Sequence, residues 1–183
     1  MEQKVISNNI WNMAGKAALL FAAISSAYLF IDMFFATSEL PSVVTTLGSS
    51  VIWLAKFGGC IYLMMFYMKK FVSENPQASN SDTFRLGTRI SLLSSIIYAA
   101  VTFANVAYIS TDIFSEMINT SMQQMAPMLD SNSMTALDSV FDRLPQITFF
   151  TNLIYCFIYG TVLSFILSRN IPTKDPFADY KPE

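Results

Sequence analysis

Histidine is absent from this 183-residue chain, and with it go the commonest general base and the commonest metal ligand. Charge is scarce too. Only 13% of the residues are charged, against about 25% in an ordinary soluble domain. The eleven Lys and Arg are dispersed, with no basic stripe for nucleic acid. Cysteine is limited to Cys60 and Cys156. Each lies in an apolar run, without C-x-x-C or zinc spacing, so both read as small apolar core residues. There is no G-x-S-x-G, no H-E-x-x-H and no phosphate-cradling glycine loop. Asp112 and Glu116, four residues apart on a polar segment, read as a solvated face, and Gly58-Gly59 reads as a point of close helix packing. The expectation is a protein that is not an enzyme and carries no cofactor, no metal and no nucleic acid.

What is there is apolar: 53% of the residues are hydrophobic and mean hydropathy is +0.43. Four runs, residues 17–37, 47–68, 87–109 and 147–168, each approach the roughly 20 residues needed to cross a hydrocarbon core. Backbone amides in lipid must be satisfied within their own segment, so each run predicts a transmembrane helix. The first exceeds a signal-peptide core and is interrupted by Asp32, which favours a retained helix over a cleaved leader. The fold class expected is an all-α membrane protein, an antiparallel bundle of four transmembrane helices over residues 17–168. Residues 1–16 form an N-terminal segment, with Ile6, Ile10 and Trp11 at the spacing of a short interfacial helix. Residues 169–183, with Pro172, Pro176 and Pro182, read as a disordered tail.

Orientation follows from charge. Lys4, Lys16, Lys69, Lys70, Arg85, Arg89, Arg169, Lys174 and Lys181 would share one side, which the positive-inside rule makes cytoplasmic, termini included. Glu39, Asp112, Glu116, Asp130, Asp138, Asp142 and Arg143 then face outward. The loop SENPQASNSD reads as a polar linker broken by Pro76. The outer loop, residues 110–146, carries apolar residues at helical spacing, first from Ile113 to Met125 and again from Met134 to Leu144. It predicts two amphipathic helices hinged near Asp130–Asn132, over the bundle mouth or on the lipid surface. Met122, Met125 and Met128 have the softness that suits Cu(I). Pro127 disturbs that face, and methionines filling an apolar face account for the pattern.

The candidate site is a polar layer inside the membrane. A lysine at the centre of a membrane helix costs about 2.5–3.5 kcal/mol on insertion scales and normally faces the bundle interior with a partner. By rise per residue Asp32 lies about 7 Å and Lys56 about 13 Å from the outer ends of their helices, which predicts an ion pair between them. Asn105 and Asn152 fall near the same level, so each helix contributes one strongly polar side chain. Tyr28, Tyr155 and Tyr159 share those faces, as do the small residues Ala18, Ser25, Ala36, Gly59 and Cys60. Two readings stay open: a hydrogen-bonded layer that sets helix register, or a site for an ion, a proton or a lipid head group.

The order of elements, with the stretches KFGGCIYLMMFYMKKF, TFRLGTRISLLSSIIYA and NLIYCFIYGTVLSFILSR, resembles the bacterial membrane proteins of domain of unknown function 4199. The likeness covers about Trp11 to Pro172; where such families often show an SFG-like entry to helix three, this chain has TFRLG. The resemblance implies a multi-pass protein of the bacterial cytoplasmic (inner) membrane with unassigned activity, and no catalytic residues. The function expected is a non-enzymatic accessory or scaffold subunit of a membrane complex. The alternative is a small oligomeric transporter or lipid-binding protein using the polar layer. Its partners would be the lipid bilayer and another membrane protein, or itself as a homo-oligomer.

Overall fold

The computed structural model describes residues 2–38, 41–125, 127 and 130–171. The expectations for Glu39, Met128 and the tail from Pro172 onward, Lys174 and Lys181 included, lie outside the described residues. Among the described residues six α-helices follow one another: α1 Glu2–Thr37, α2 Ser42–Glu74, α3 Asn80–Ala104, α4 Thr111–Met125, α5 Ser131–Phe141 and α6 Leu144–Asn170. There is no strand among the described residues. The four long helices, α1, α2, α3 and α6, are long and apolar enough to cross a membrane.

Each long helix outruns its apolar stretch, because hydrogen bonding along a helix continues past the greasy segment until a stop signal intervenes. Pro41 precedes α2, and Pro145 occupies the first turn of α6, where a missing N–H costs nothing. Ser79 and Asp82 form a reciprocal cap at the start of α3: the Asp82 amide donates to Ser79 Oγ at 3.2 Å and the Ser79 amide to Asp82 Oδ2 at 3.1 Å. The linker between α2 and α3 thus shrinks to residues 75–79.

The N-terminal segment is a continuation of α1 rather than a separate interfacial helix. Ile10, Met13, Ala14 and Ala17 are buried with Met64, Met68, Phe71, Leu86, Ile90 and Ile171, and Ile6 packs on that cluster. Asn9 Nδ2 donates to Asn75 Oδ1 at 3.1 Å, tying the start of α1 to the end of α2. The Arg89 guanidinium lies 4.5 Å from the centre of the Trp11 ring. This tightly packed end carries Lys16, Lys69, Lys70, Arg85, Arg89 and Arg169, and is called the basic end below.

Helix α3 is the central element, packed along both α1 and α6, while α2 leans on α1 and scarcely meets α6. Two short repeats explain how closely α3 and α6 approach. GTRIS on α3 and GTVLS on α6 each place a glycine four residues before a serine, the small-x-x-x-small spacing that lets membrane helices close on each other. A Cβ at Gly87 would stand 2.8 Å from Ser164 Cβ, and one at Gly160 2.7 Å from Ser91 Cβ. The same two helices meet through Phe84 and Phe165 at one end and Phe103 and Phe149 at the other. Gly58 and Gly59, expected at a close contact, have nothing within 4 Å of a built Cβ; they lie where α2 leaves its neighbours.

Toward the far end the bundle loosens. No residue of α2 before Met64, and none of α6 before Gly160, is buried. Helices α4 and α5 fill the loop there, with no residue buried in α4 and none over 132–141 of α5. Met122 and Met125 lie on α4. Asp130 caps α5, its carboxylate accepting from the Ser133 amide at 2.9 Å. These hydrogen bonds, from the Ser133 side chain and backbone, hold the Asp130 carboxyl below its ordinary value.

Candidate intramembrane site

At the level where α2 and α6 separate, the four long helices enclose a cavity of about 140 Å³. Its apolar end is made by Phe21, Met64 and Leu163, next to the core. Ser91, Ser94, Ser95 and Tyr98 of α3 form its back wall, and Trp53, Lys56, Phe57, Tyr155 and Tyr159 lie toward the opening. Across the mouth runs an aromatic chain. Trp53 stacks on Phe57 at 5.4 Å, Phe57 meets Tyr159 at 5.6 Å, and Tyr159 stacks on Tyr155 at 6.4 Å. Tyr155 is 67% exposed and Phe57 39%, so the mouth opens sideways, toward the surface between α2 and α6.

Lys56 does not pair with Asp32. The ion pairs among the described residues are Lys70–Glu74 and Arg85–Asp82, both at the basic end. The Lys56 ammonium sits instead 4.5 Å from the centre of the Tyr28 ring and 5.2 Å from that of Tyr98. The reason is register. Tyr28 lies one helical turn, about 6 Å, before Asp32, and α2 passes α1 and α3 at the level of the tyrosine. Each aromatic face is worth about 0.5–2 kcal/mol to a cation, more as water is excluded. Two faces therefore offset much of the roughly 2.5–3.5 kcal/mol cost of the lysine, but they leave its N–H groups without an anionic acceptor.

The other members of the expected layer divide. Tyr155 and Tyr159 reach the cavity with Lys56. Asn152 turns back onto its own helix, donating to Thr148 O at 2.9 Å, and bridges no neighbour. Asn105 is buried in a separate cluster, where α3 widens into one π-helical turn, Asn105–Ile109. There the Ser110 amide donates to Asn105 O at 2.8 Å, and Ser110 Oγ donates to Asn105 Oδ1 at 2.9 Å. Asn105 Nδ2 reaches Met33 Sδ of α1 at 3.7 Å. This turn fastens α3 to α1 at the loop end. Ser110→Ala strips the buried Asn105 oxygen of its side-chain donor and is expected to cost about 1 kcal/mol, between the membrane average and the price of an orphaned buried acceptor. Thermal unfolding in detergent reads it, and an unchanged midpoint would mean the turn holds without that hydroxyl.

Several cavity residues were not singled out from the sequence: Trp53, Phe57, Ser91, Ser94, Ser95 and Tyr98. Their periodicity was available, since Trp53, Phe57, Cys60 and Met64 recur at helical spacing beside Lys56. Cys60 and Cys156, expected as plain core residues, both line the cavity and are free thiols. The α3 serine hydroxyls are spent on their own helix: Ser91 donates to Gly87 O at 2.8 Å, Ser94 to Ser91 O at 3.2 Å and Ser95 to Leu92 O at 2.8 Å. Among the described residues, no hydrogen bond engages the hydroxyl of Tyr98, Tyr155 or Tyr159. The free donors around the cavity are thus an ammonium, the phenols and the Ser25 hydroxyl of α1.

No curated protein and no solved structure matches this chain. The model of the family described as Protein of unknown function (DUF4199) matches residues 16–169, and the chain belongs to that family.

Proposed function

We propose that this protein is an integral membrane protein that binds a lipid-like ligand in the sideways-opening cavity between α2 and α6. One observation carries the reading: a lysine without a carboxylate partner, at the wall of a cavity whose mouth lies between two unpacked apolar helix faces. In this reading the four long helices cross the bilayer as an antiparallel bundle, with the basic end and both termini on the cytoplasmic side, by the positive-inside rule. Helices α4 and α5 then lie on the outer surface, their apolar residues toward the lipid or the mouth. The cell compartment that fits is a bacterial cytoplasmic membrane. The role is one of binding or handling the ligand, without covalent catalysis.

A second reading rests on the same exposed faces. Helices α2 and α6 have no buried residue over their loop-end halves, so another membrane protein, or a second copy, could complete the bundle there as it would for an accessory subunit. Purification of a tagged copy from native membranes in mild detergent, followed by native mass spectrometry, separates the two. One lipid-sized molecule retained per chain is the expected result. A stoichiometric protein partner with no retained lipid would overturn the binding reading in favour of the accessory one.

A further inference from the structure

Resting on that reading, we infer that the ligand is an acidic amphiphile whose head-group oxyanion, a phosphate or carboxylate, is held by Lys56 and whose acyl chain leaves between α2 and α6. The donor inventory sets the sign. Lys56 presents N–H groups and a full positive charge, and Tyr98, Tyr155 and Tyr159 present hydroxyls with no partner among the described residues. Of the wall serines, Ser91, Ser94 and Ser95 have given their hydrogens to backbone carbonyls, and Ser25 keeps its hydroxyl as one more donor. An oxyanion accepts from every one of the free groups, and bonds from a cation to an anionic oxygen are the strong ones. A zwitterionic head group would bring a second ammonium beside Lys56, whose own charge is met by no carboxylate in an ion pair among the described residues.

Size sets the rest. About 140 Å³ compares with the engineered cavity of about 150 Å³ that holds one benzene, enough for a head group or a small ring and far too little for a whole lipid. The chain must stay outside. The aromatic row Trp53, Phe57, Tyr159 and Tyr155 lines the way out, with exposed Leu54 and Ile158 beside it on the outer helix faces. The apolar end at Phe21, Met64 and Leu163 closes the cavity toward the core.

Trp53 reports on this site directly. In a Trp11→Phe background it is the sole tryptophan, and chain-brominated lipids quench it on contact. The full chain in detergent is titrated with brominated phosphatidylglycerol and with brominated phosphatidylcholine. Half-maximal quenching by the acidic lipid is expected at a mole fraction at least tenfold lower. Lys56→Met should abolish the preference, Lys56→Arg should keep most of it, and Tyr98→Phe, which keeps the ring under the ammonium, should reduce it severalfold. Thermal midpoints of the variants show which are folded, and the conservative Lys56→Arg and Tyr98→Phe carry the test if Lys56→Met is not. Saturable quenching by both lipids at the same mole fraction would overturn the acidic head group while leaving the cleft as a lipid site. Quenching that never saturates for either lipid would overturn the cleft reading itself. Relief of quenching by millimolar inorganic phosphate alone would show a free anion, not an amphiphile, as the ligand.

Discussion

Replacing Gly160 by leucine is expected to separate α6 from α3 and to cost at least about 3 kcal/mol, the upper part of the range for overpacked cores. The built Cβ already stands 2.7 Å from Ser91 Cβ and 3.5 Å from the Ser91 Cα. The obstacle is therefore a short side chain and its backbone, neither of which can swing aside. Gly87 faces Ser164 in the same way, so the two glycines act on one contact. Ser91→Gly should recover part of the loss in the double variant, because neighbours in one contact do not add independently. Gly58→Ala is the contrasting substitution. Nothing stands within 4 Å of its built Cβ, and alanine is the better helix former by about 0.8–1 kcal/mol, so stability should hold or rise slightly. Unfolding in mixed micelles measures all of these. A Gly160→Leu protein as stable as the parent would remove the close approach of α3 and α6 from this account.

The second large effect is expected at the basic end. Phe71 is 0% exposed and shares its cluster with Ile10, Met13, Leu86 and Ile171. Phe71→Ala should cost about 3–5 kcal/mol, the transfer and cavity terms together for a buried phenylalanine. Because Ile10 and Met13 belong to the segment before the first apolar run, the same substitution should expose that segment to protease in detergent micelles. If residues 6–16 lay on the lipid surface instead, Phe71 would lose little there. The cost would then fall below about 1 kcal/mol, with the protease pattern unchanged.

How much of this could be read from residues alone depends on the kind of force involved. The four long helices appear where the apolar runs lie, but α2 and α6 extend past theirs at both ends and α1 and α3 at their starts, because a run marks the hydrocarbon whereas capping decides where a helix stops. Ser79 with Asp82, three residues apart, was a legible cap that the linker reading passed over. The polar side chains of the membrane were legible as a set, from Tyr28 and Asp32 to Asn105 and Asn152. Their pairing was not. Depth estimates put Asp32 and Lys56 within reach of each other, yet depth says nothing of the angle at which each helix faces its neighbour. That angle sends Lys56 to two tyrosine rings and Asn152 back to its own helix. The GTRIS and GTVLS repeats were in plain view and carried the α3–α6 contact, while Gly58-Gly59, the more obvious glycine signal, faces open space.

By itself, then, the sequence determined the number, kind and place of the apolar helices and the short list of polar groups among them. These follow from local terms, the transfer of side chains into lipid and the satisfaction of each backbone amide four residues away. Tertiary structure alone decided which of those groups meet: the tight basic end, the parted α2 and α6, and the cavity with its lysine held on tyrosine faces. Between helices in lipid there is no hydrophobic bias to turn one face inward. The arrangement rests on contacts as small as a missing Cβ at Gly87 and Gly160, and such contacts exist only once two helices have been brought together.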